Sequence, residues 1–423
     1  MKHSLALPAW LAPVAIAFVF VAYAKSALQY PVSTDLLPLW MAASAFGAGQ
    51  FDQVYTGSDG VFTLVPPDTW PSAVLALEGV DARDAEVLPY LYPPLWAAVV
   101  SPLTKVANYP ALQSIFNIAN PFMMVGIVWL AWRMYPVVSL TRHMAIGLLT
   151  FVTTMAGAVA IMSSQIQILV AFLTLLAFER HQRGAMIACG VALAFAAALK
   201  CFPALFVVFL IAHKSHRAAL AFAITGGALG LLSIGLAGWP LHMAFLAELA
   251  AVSKTVVVVN IATGLDVLLT QIFAIDSAKE VGPRVIIVKS ILWQYLSKAG
   301  LLAALALFAW IAQARIKTGL PAIYWPAMLA CVTLLSPLAW AFYFLIPLAF
   351  APVFLTQMRS ALLGLGVIAS GNIMLLHLPS GILGLSLPAA VIATLGLIVL
   401  AGLLTEKLLK DLRTPLHVGA ASL

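Results

Sequence analysis

Apolar runs, each close to the ~20 residues that cross ~30 Å of hydrocarbon, recur along almost the whole chain, and short polar breaks divide them. They lack the alternation of period two that marks an outer-membrane barrel. Lipid offers no partner for backbone N–H and C=O groups, so the runs are predicted to be helices. The first covers Leu7 to Ala24. With Lys2 ahead of it and Ala22-Tyr-Ala24 at its end, it has the form of a signal peptide. It is also long enough to stay as an uncleaved anchor with its N-terminus inside, and it is read so here.

Basic residues sort the runs into a topology. They gather at Arg133 to His143, Glu179-Arg-His-Gln-Arg183, His213-Lys-Ser-His-Arg217, Arg315 with Lys317, Arg359, and Lys407, Lys410 and Arg413. Cytoplasmic loops are enriched in Lys and Arg, and placing every cluster inside gives a consistent pattern. Between Arg142 and Arg180, and between Arg183 and Lys214, the chain has room for two short helices but hardly for two full crossings. The turning points are Ser163-Ser-Gln-Ile-Gln167 and Lys200-Cys-Phe-Pro203. Polar groups at such depth are costly unless they line a cavity, so both breaks are expected to face an aqueous site. Residues 92–132, with Pro93, Pro94, Pro102, Pro110 and Pro121, suggest a broken or re-entrant piece before one crossing. Residues 218–236 lead back outside, and 238–284 stay there, with a piece at 264–275 too short to span. Helices are predicted over 286–314, 321–335, 339–357, 361–377 and 386–405. The sum is an all-α polytopic membrane protein of about twelve transmembrane helices, several of them short or broken, forming one integral membrane domain over 1–423.

Composition agrees. The chain is 63% hydrophobic and 9% charged with a mean hydropathy of +1.05, whereas soluble domains carry ~25% charged residues. The net charge of +7 is accounted for by the inward-facing span ends, so no nucleic-acid partner is implied. Cys189, Cys201 and Cys331 lie scattered in apolar sequence, which suits small core residues rather than a disulfide or metal framework.

The acidic residues are placed unevenly. Eight of the 15 lie in one loop, 25–91, between the first span and Tyr90-Leu-Tyr-Pro-Pro-Leu95, and Asp35 opens it. On the predicted topology Asp35, Tyr92, Gln165, Gln167, Lys200, Asn260, Asp266, Ser336, Trp340, Tyr343 and His377 all reach the periplasmic face. That clustering was not used to build the topology. Plainer readings exist for each residue. Asp35 suits a helix N-cap for a segment starting near Leu36. Lys200 suits snorkelling, and Gln165 and Gln167 suit bonds between helices. Trp340 and Tyr343 suit an aromatic belt, His377 an ordinary loop, and the other loop acids a solvated surface. No internal repeat points to a transporter of two halves.

Several stretches, in order, resemble the bacterial family-87 glycosyltransferases of the GT-C superfamily, which use polyprenyl-phosphate sugars and include mannosyltransferases. They are Asp35 with Trp40-Met-Ala-Ala43 and Gly47 to Tyr55, Tyr92-Pro-Pro-Leu95 with Ser101-Pro102, and Ser164-Gln-Ile-Gln167 in the place of Gly-Gln-x-Asn. Ala196-Ala-Ala-Leu-Lys200 with Pro203, Gly238-Trp-Pro240, Asn260 and Ser336-Pro-Leu-Ala-Trp340 follow. Where the family often has a His pair, this chain has Phe342 and Tyr343. The resemblance implies a GT-C-type fold whose first periplasmic loop carries amphipathic helices. It also implies metal-independent, inverting transfer of a hexose, without a cofactor, from a polyprenyl-phosphate donor to a lipid or glycan acceptor at the outer face of the inner membrane. Asp35 is then the catalytic base. Lys200, with Gln165, Gln167 and Tyr343, would receive the donor phosphate. Trp40, Tyr55, Tyr92, Asn260, Trp340 and His377 would contact substrate, and Lys254, Arg284 or Lys289 would add a second cation. A transporter or flippase of a lipid-linked or glycan substrate is the rival reading.

Overall fold

The computed structural model describes residues 8–56, 60–78, 85–258, 262–273, 278–281, 284–321, 323–336, 339–353 and 389–413. Asn260, His377 and the span expected over 361–377 lie outside the described residues.

The chain is mostly helical. Helix α1 is Leu11–Gln29, α2 is Leu37–Gly47, and α3 is Trp70–Leu75. The proline-rich stretch divides as expected, into a short α4 (Pro94–Val100) and a long α5 (Tyr109–Met134) that carries Pro121 inside it. Asn108 caps α5 by accepting from the Ala111 N–H at 3.1 Å, and Pro110 in the first turn has no amide to leave unpaired there. Helices α6 (Leu140–Thr153), α7 (Met155–Met162) and α8 (Gln167–Gln182) follow. The break at residues 163–166 turns the chain by 120° between α7 and α8. Ser164 takes φ +44° in that break, a left-handed conformation that is strained for a side chain.

Helix α9 (Met186–Leu199) stops at Lys200, whose backbone is extended; a 3₁₀ turn over Phe202–Phe206 leads into α10 (Val207–Ala212). Helix α11 (His216–Lys254) packs along α9. The approach is close enough that a Cβ on Gly190 would lie 2.2 Å from the Ala218 carbonyl oxygen. Gly238, at φ +73°, bends α11 just ahead of Pro240, so the half beyond the bend runs over the site.

Past α11 the chain forms a small unit that the apolar pattern did not reveal. Strands β1 (Thr255–Val258), β3 (Ala278–Val281) and β4 (Arg284–Val288) make an antiparallel sheet in the order β1-β4-β3. Strand β2 (Ala262–Thr263) pairs antiparallel with β5 (Ala339–Trp340), with Ala262 opposite Trp340. Between them lies α12 (Leu265–Phe273), and then come α13 (Ile291–Ala314), α14 (Tyr324–Leu334), α15 (Leu345–Leu348) and α16 (Ala389–Arg413).

Among the described residues four helices are long and apolar enough to cross a membrane: α1, α5, α11 and α13. A fifth is added if α7 and α8 count as one broken span. Apart from α16, which at 25 residues is longer, the other helices are shorter than 18 residues. Two cores result. The larger lies among α5, α6, α8 and α14. The smaller is built on α2 and gathers Trp40, Tyr55, Tyr90, Tyr92, Tyr109 and Phe245. The candidate site borders the second.

Candidate active site

Both breaks foreseen in the chain come to one place. A cavity of about 300 Å³ is lined by Asp35, Glu86, Tyr92, Lys200, Trp340 and Tyr343, with Ser163, Phe342 and apolar side chains completing the wall. Asp35 stands in the turn between α1 and α2 and does not cap α2. The first-turn amide of Leu36 instead donates to Ser33 Oγ at 3.2 Å. The carboxyl group of Asp35 is thereby left free of a helical duty.

Burial pushes the Asp35 carboxyl above its ordinary pKa. The side chain of Gln165, the Lys200 ammonium and Ser163 pull it back in part, while the carboxylate of Glu86 adds to the rise. Gln165 is fully buried; its Oε1 accepts from the Gln167 N–H at 3.5 Å, while its Nε2 has no hydrogen bond of ordinary geometry. Gln167 is also fully buried, with neither side-chain polar atom paired. Neither glutamine lines the cavity; both stand behind it, at the start of α8.

Lys200 lines the same space. Its Nζ lies 5.5 Å from the Tyr92 ring centre, 5.1 Å from that of Phe342 and 5.2 Å from that of Tyr343. Ring faces attract a cation while offering it no proton acceptor, so the ammonium keeps its N–H donors for the cavity. The rings are themselves braced. Tyr55 donates to the Tyr92 carbonyl at 2.7 Å, and Tyr90 to that of Pro93 at 2.9 Å. Phe342 stacks on Trp340 on one side and on Tyr343 on the other, and Trp340 is held by strand pairing with Ala262.

The structure thus brings together Asp35, Tyr92, Lys200, Ser336, Trp340 and Tyr343 of the residues singled out in the sequence. Trp40 and Tyr55 fall outside the cavity lining. Trp40 is buried edge-on against Tyr109, ring centres 6.2 Å apart, and Tyr55 packs between Tyr90 and Phe245. Both build the wall rather than the lining. Asp266 does not join the cavity lining either; it is paired with Lys289 at 2.9 Å, so the Lys289 ammonium is taken. Two groups escaped the sequence reading. Glu86 had been grouped with the solvated loop acids, yet it stands at the cavity and its charge acts on Asp35. Phe342 had been noted only as a departure, and it is one wall of the cage around Lys200. Glu86 precedes the Tyr90–Leu95 stretch by four residues, and that nearness to a chain return was the one available signal.

Beside this cavity is a second, of about 200 Å³, which shares Phe202, Ser336 and Tyr343 with the first and is otherwise mostly apolar.

Helices long and apolar enough to span a bilayer mark an integral membrane protein, and an acid and a cation line one of its cavities. The model of glycosyltransferase family 87 matches residues 90–337, more than half of the chain, and the protein belongs to that family. The matched stretch contains Tyr92, both glutamines and Lys200; Asp35 precedes it. No curated protein matches the chain.

Proposed function

We propose that this glycosyltransferase moves a hexose from a polyprenyl-phosphate donor to a hydroxyl of a lipid or glycan acceptor at the periplasmic face of the inner membrane, with inversion and without a metal ion. The observation that carries this reading is the placing of Asp35 and Lys200 on one cavity.

The chemistry asks for two things. An alcohol is a poor nucleophile, and a carboxylate that takes its proton during attack contributes about 10²–10⁴-fold. Asp35 serves there, since a carboxyl destabilised as an anion by burial is a stronger base than a solvated one. The leaving group is a phosphate whose negative charge grows as the bond to the sugar breaks. Donors aimed at such charge in a water-poor site are worth about 10²–10³-fold each, and the caged Lys200 ammonium suits that role, with Tyr343 beside it. In the balanced step the acceptor oxygen bonds to the anomeric carbon and its proton passes to Asp35. The bond from that carbon to the phosphate oxygen breaks, and its electron pair leaves with polyprenyl phosphate. Attack opposite the leaving group inverts the anomeric centre. The adjoining apolar cavity suits the first part of a polyprenyl chain, and Trp340 offers a ring face to a sugar.

The test is transfer by the purified protein in liposomes that hold a labelled polyprenyl-phosphate hexose and a membrane extract as acceptor. Labelled product should appear in step with free polyprenyl phosphate, at a rate that a chelator leaves unchanged. Movement of the donor across the bilayer without product would overturn the reading in favour of transport.

A further inference from the structure

Asp35 sits in a turn rather than in a helix or strand, so something else must hold its carboxylate in place. The restraint lies two residues upstream. Ser33 is fully buried, and its backbone is clasped by α5. Its N–H donates to the Tyr109 hydroxyl at 2.8 Å and to Gln113 Oε1 at 3.3 Å. The Tyr109 hydroxyl in turn donates to the Ser33 carbonyl at 3.2 Å. One phenol oxygen thereby bonds both polar groups of one buried peptide residue, which need partners once removed from water; the carbonyl also accepts the Leu37 N–H at 3.0 Å. Gln113, one helical turn on, donates to the Tyr30 carbonyl at 3.2 Å and secures the start of the same turn.

The Ser33 side chain carries the restraint onward. Its hydroxyl donates to the Ser163 carbonyl, in the break between α7 and α8, and accepts from the Leu36 N–H at 3.2 Å. Ser33 therefore ties together α5, the first turn of α2 and the break that presents Ser163 and Gln165 to Asp35. Tyr109 is absent from the cavity lining, so it meets no substrate there.

We propose that Tyr109 is a positioning residue for the transfer reaction: by clasping Ser33 it sets where the Asp35 carboxylate stands over the cavity. This rests on the reading of Asp35 as the proton acceptor. The expected size follows from the steepness of the geometry, since a displacement of ~1 Å at a reacting group costs about 10²-fold. Tyr109→Phe removes a single oxygen and keeps the ring that meets Trp40 edge-on. The Ser33 N–H keeps Gln113 and its carbonyl keeps the Leu37 N–H, so the variant removes only the tie between this peptide and the Tyr109 hydroxyl.

The experiment compares the unaltered protein, Tyr109→Phe and Asp35→Asn in the liposome assay, using the labelled polyprenyl-phosphate hexose, with folded fraction and Tm measured on the same samples. For Tyr109→Phe, kcat per folded molecule should fall about tenfold to a hundredfold, while the KM for the donor stays within a factor of about two. A purely structural Tyr109 would lower Tm or yield and leave kcat per folded molecule unchanged, and that result overturns the inference. Should Tyr109→Phe not fold, Gln113→Leu removes the other arm of the clasp and must lower kcat in the same way. If Asp35→Asn transfers sugar at the unaltered rate, the fault lies with the role given to Asp35. If the unaltered protein transfers nothing, the glycosyl-transfer reading falls and takes this inference with it.

Discussion

Two aspartate–lysine pairs in this protein have opposite surroundings. Asp266 is buried and saturated: Lys289 donates to Oδ2 at 2.9 Å, and Trp293 and Ser297 donate to Oδ1 at 2.9 and 2.7 Å. Its partner Lys289 is 1% exposed at the side chain. Asp35 and Lys200 instead both line the larger cavity. The lysine is surrounded by ring faces that accept no proton, and the nearby Gln165 Nε2 has no hydrogen bond of ordinary geometry. Residue types are the same, but only the second pair has unused bonding capacity. A saturated pair ties α12 and the end of β4 to α13. An unsaturated one has charge and donors left for a ligand.

That contrast makes unequal demands on variants. Asp35→Asn should lose about 10²–10⁴-fold in transfer rate without loss of stability. The sign follows from linkage. Burial raises the Asp35 pKa in the folded protein, so its contribution to stability is present below the unfolded value and is lost as pH rises through the folded one. At neutral pH the ionised carboxylate is thus a cost, and the asparagine variant should show a Tm equal to or above that of the parent. The difference should vanish in acid; a lower Tm at pH 7 would break the comparison. By the same shift, transfer by the parent should fail on acidification at a pH above the usual carboxylate range.

Lys200→Gln comes next, with a loss of about 10²–10³-fold in kcat, read in the same assay. Asp266→Asn should do the reverse of Asp35→Asn. It leaves Lys289 buried without its counter-charge, which costs about 3–5 kcal/mol, so a large fall in Tm is expected while activity per folded molecule changes little. Loss of activity in proportion to neither folding nor Tm would merge the two pairs into one system. The smallest effect is that of Phe342→Leu. One ring of the Lys200 cage supplies about 0.5–2 kcal/mol, so a few-fold rise in the donor KM is expected.

The sequence was most legible where a polar residue interrupts an apolar run. Ser163 to Gln167 and Lys200 to Pro203 stood out because lipid tolerates such interruptions poorly, and both proved to be real breaks at one cavity. The prolines of 92–132 likewise foretold a short helix before a long one. The β unit was hidden because Thr255–Val258 and Arg284–Val288 are short apolar runs beside longer ones, and period alone does not separate such strands from helix. The pairing of Ala262 with Trp340 joins residues far apart in the chain, and nothing local encodes it. Trp40 and Tyr55 looked like ring platforms for a sugar because they sit in an acidic loop. The burial of α2 against Tyr109 turned Trp40 inward, and packing of that kind is a tertiary fact. Glu86 went the other way, from apparent surface charge to cavity wall. Length and composition mark α1, α5, α11 and α13 as long and apolar enough to cross, and they support four or five such helices among the described residues, against the expected count of about twelve.

The most direct measurement is the single-turnover rate at which Asp35→Asn releases polyprenyl phosphate from a saturating labelled donor in liposomes, normalised to folded protein. Donor binding close to that of the parent, joined to a rate lower by at least about 10²-fold, is the predicted result. Release at the parental rate would show that the proton goes elsewhere, and the pairing of Asp35 with Lys200 would lose its chemical meaning.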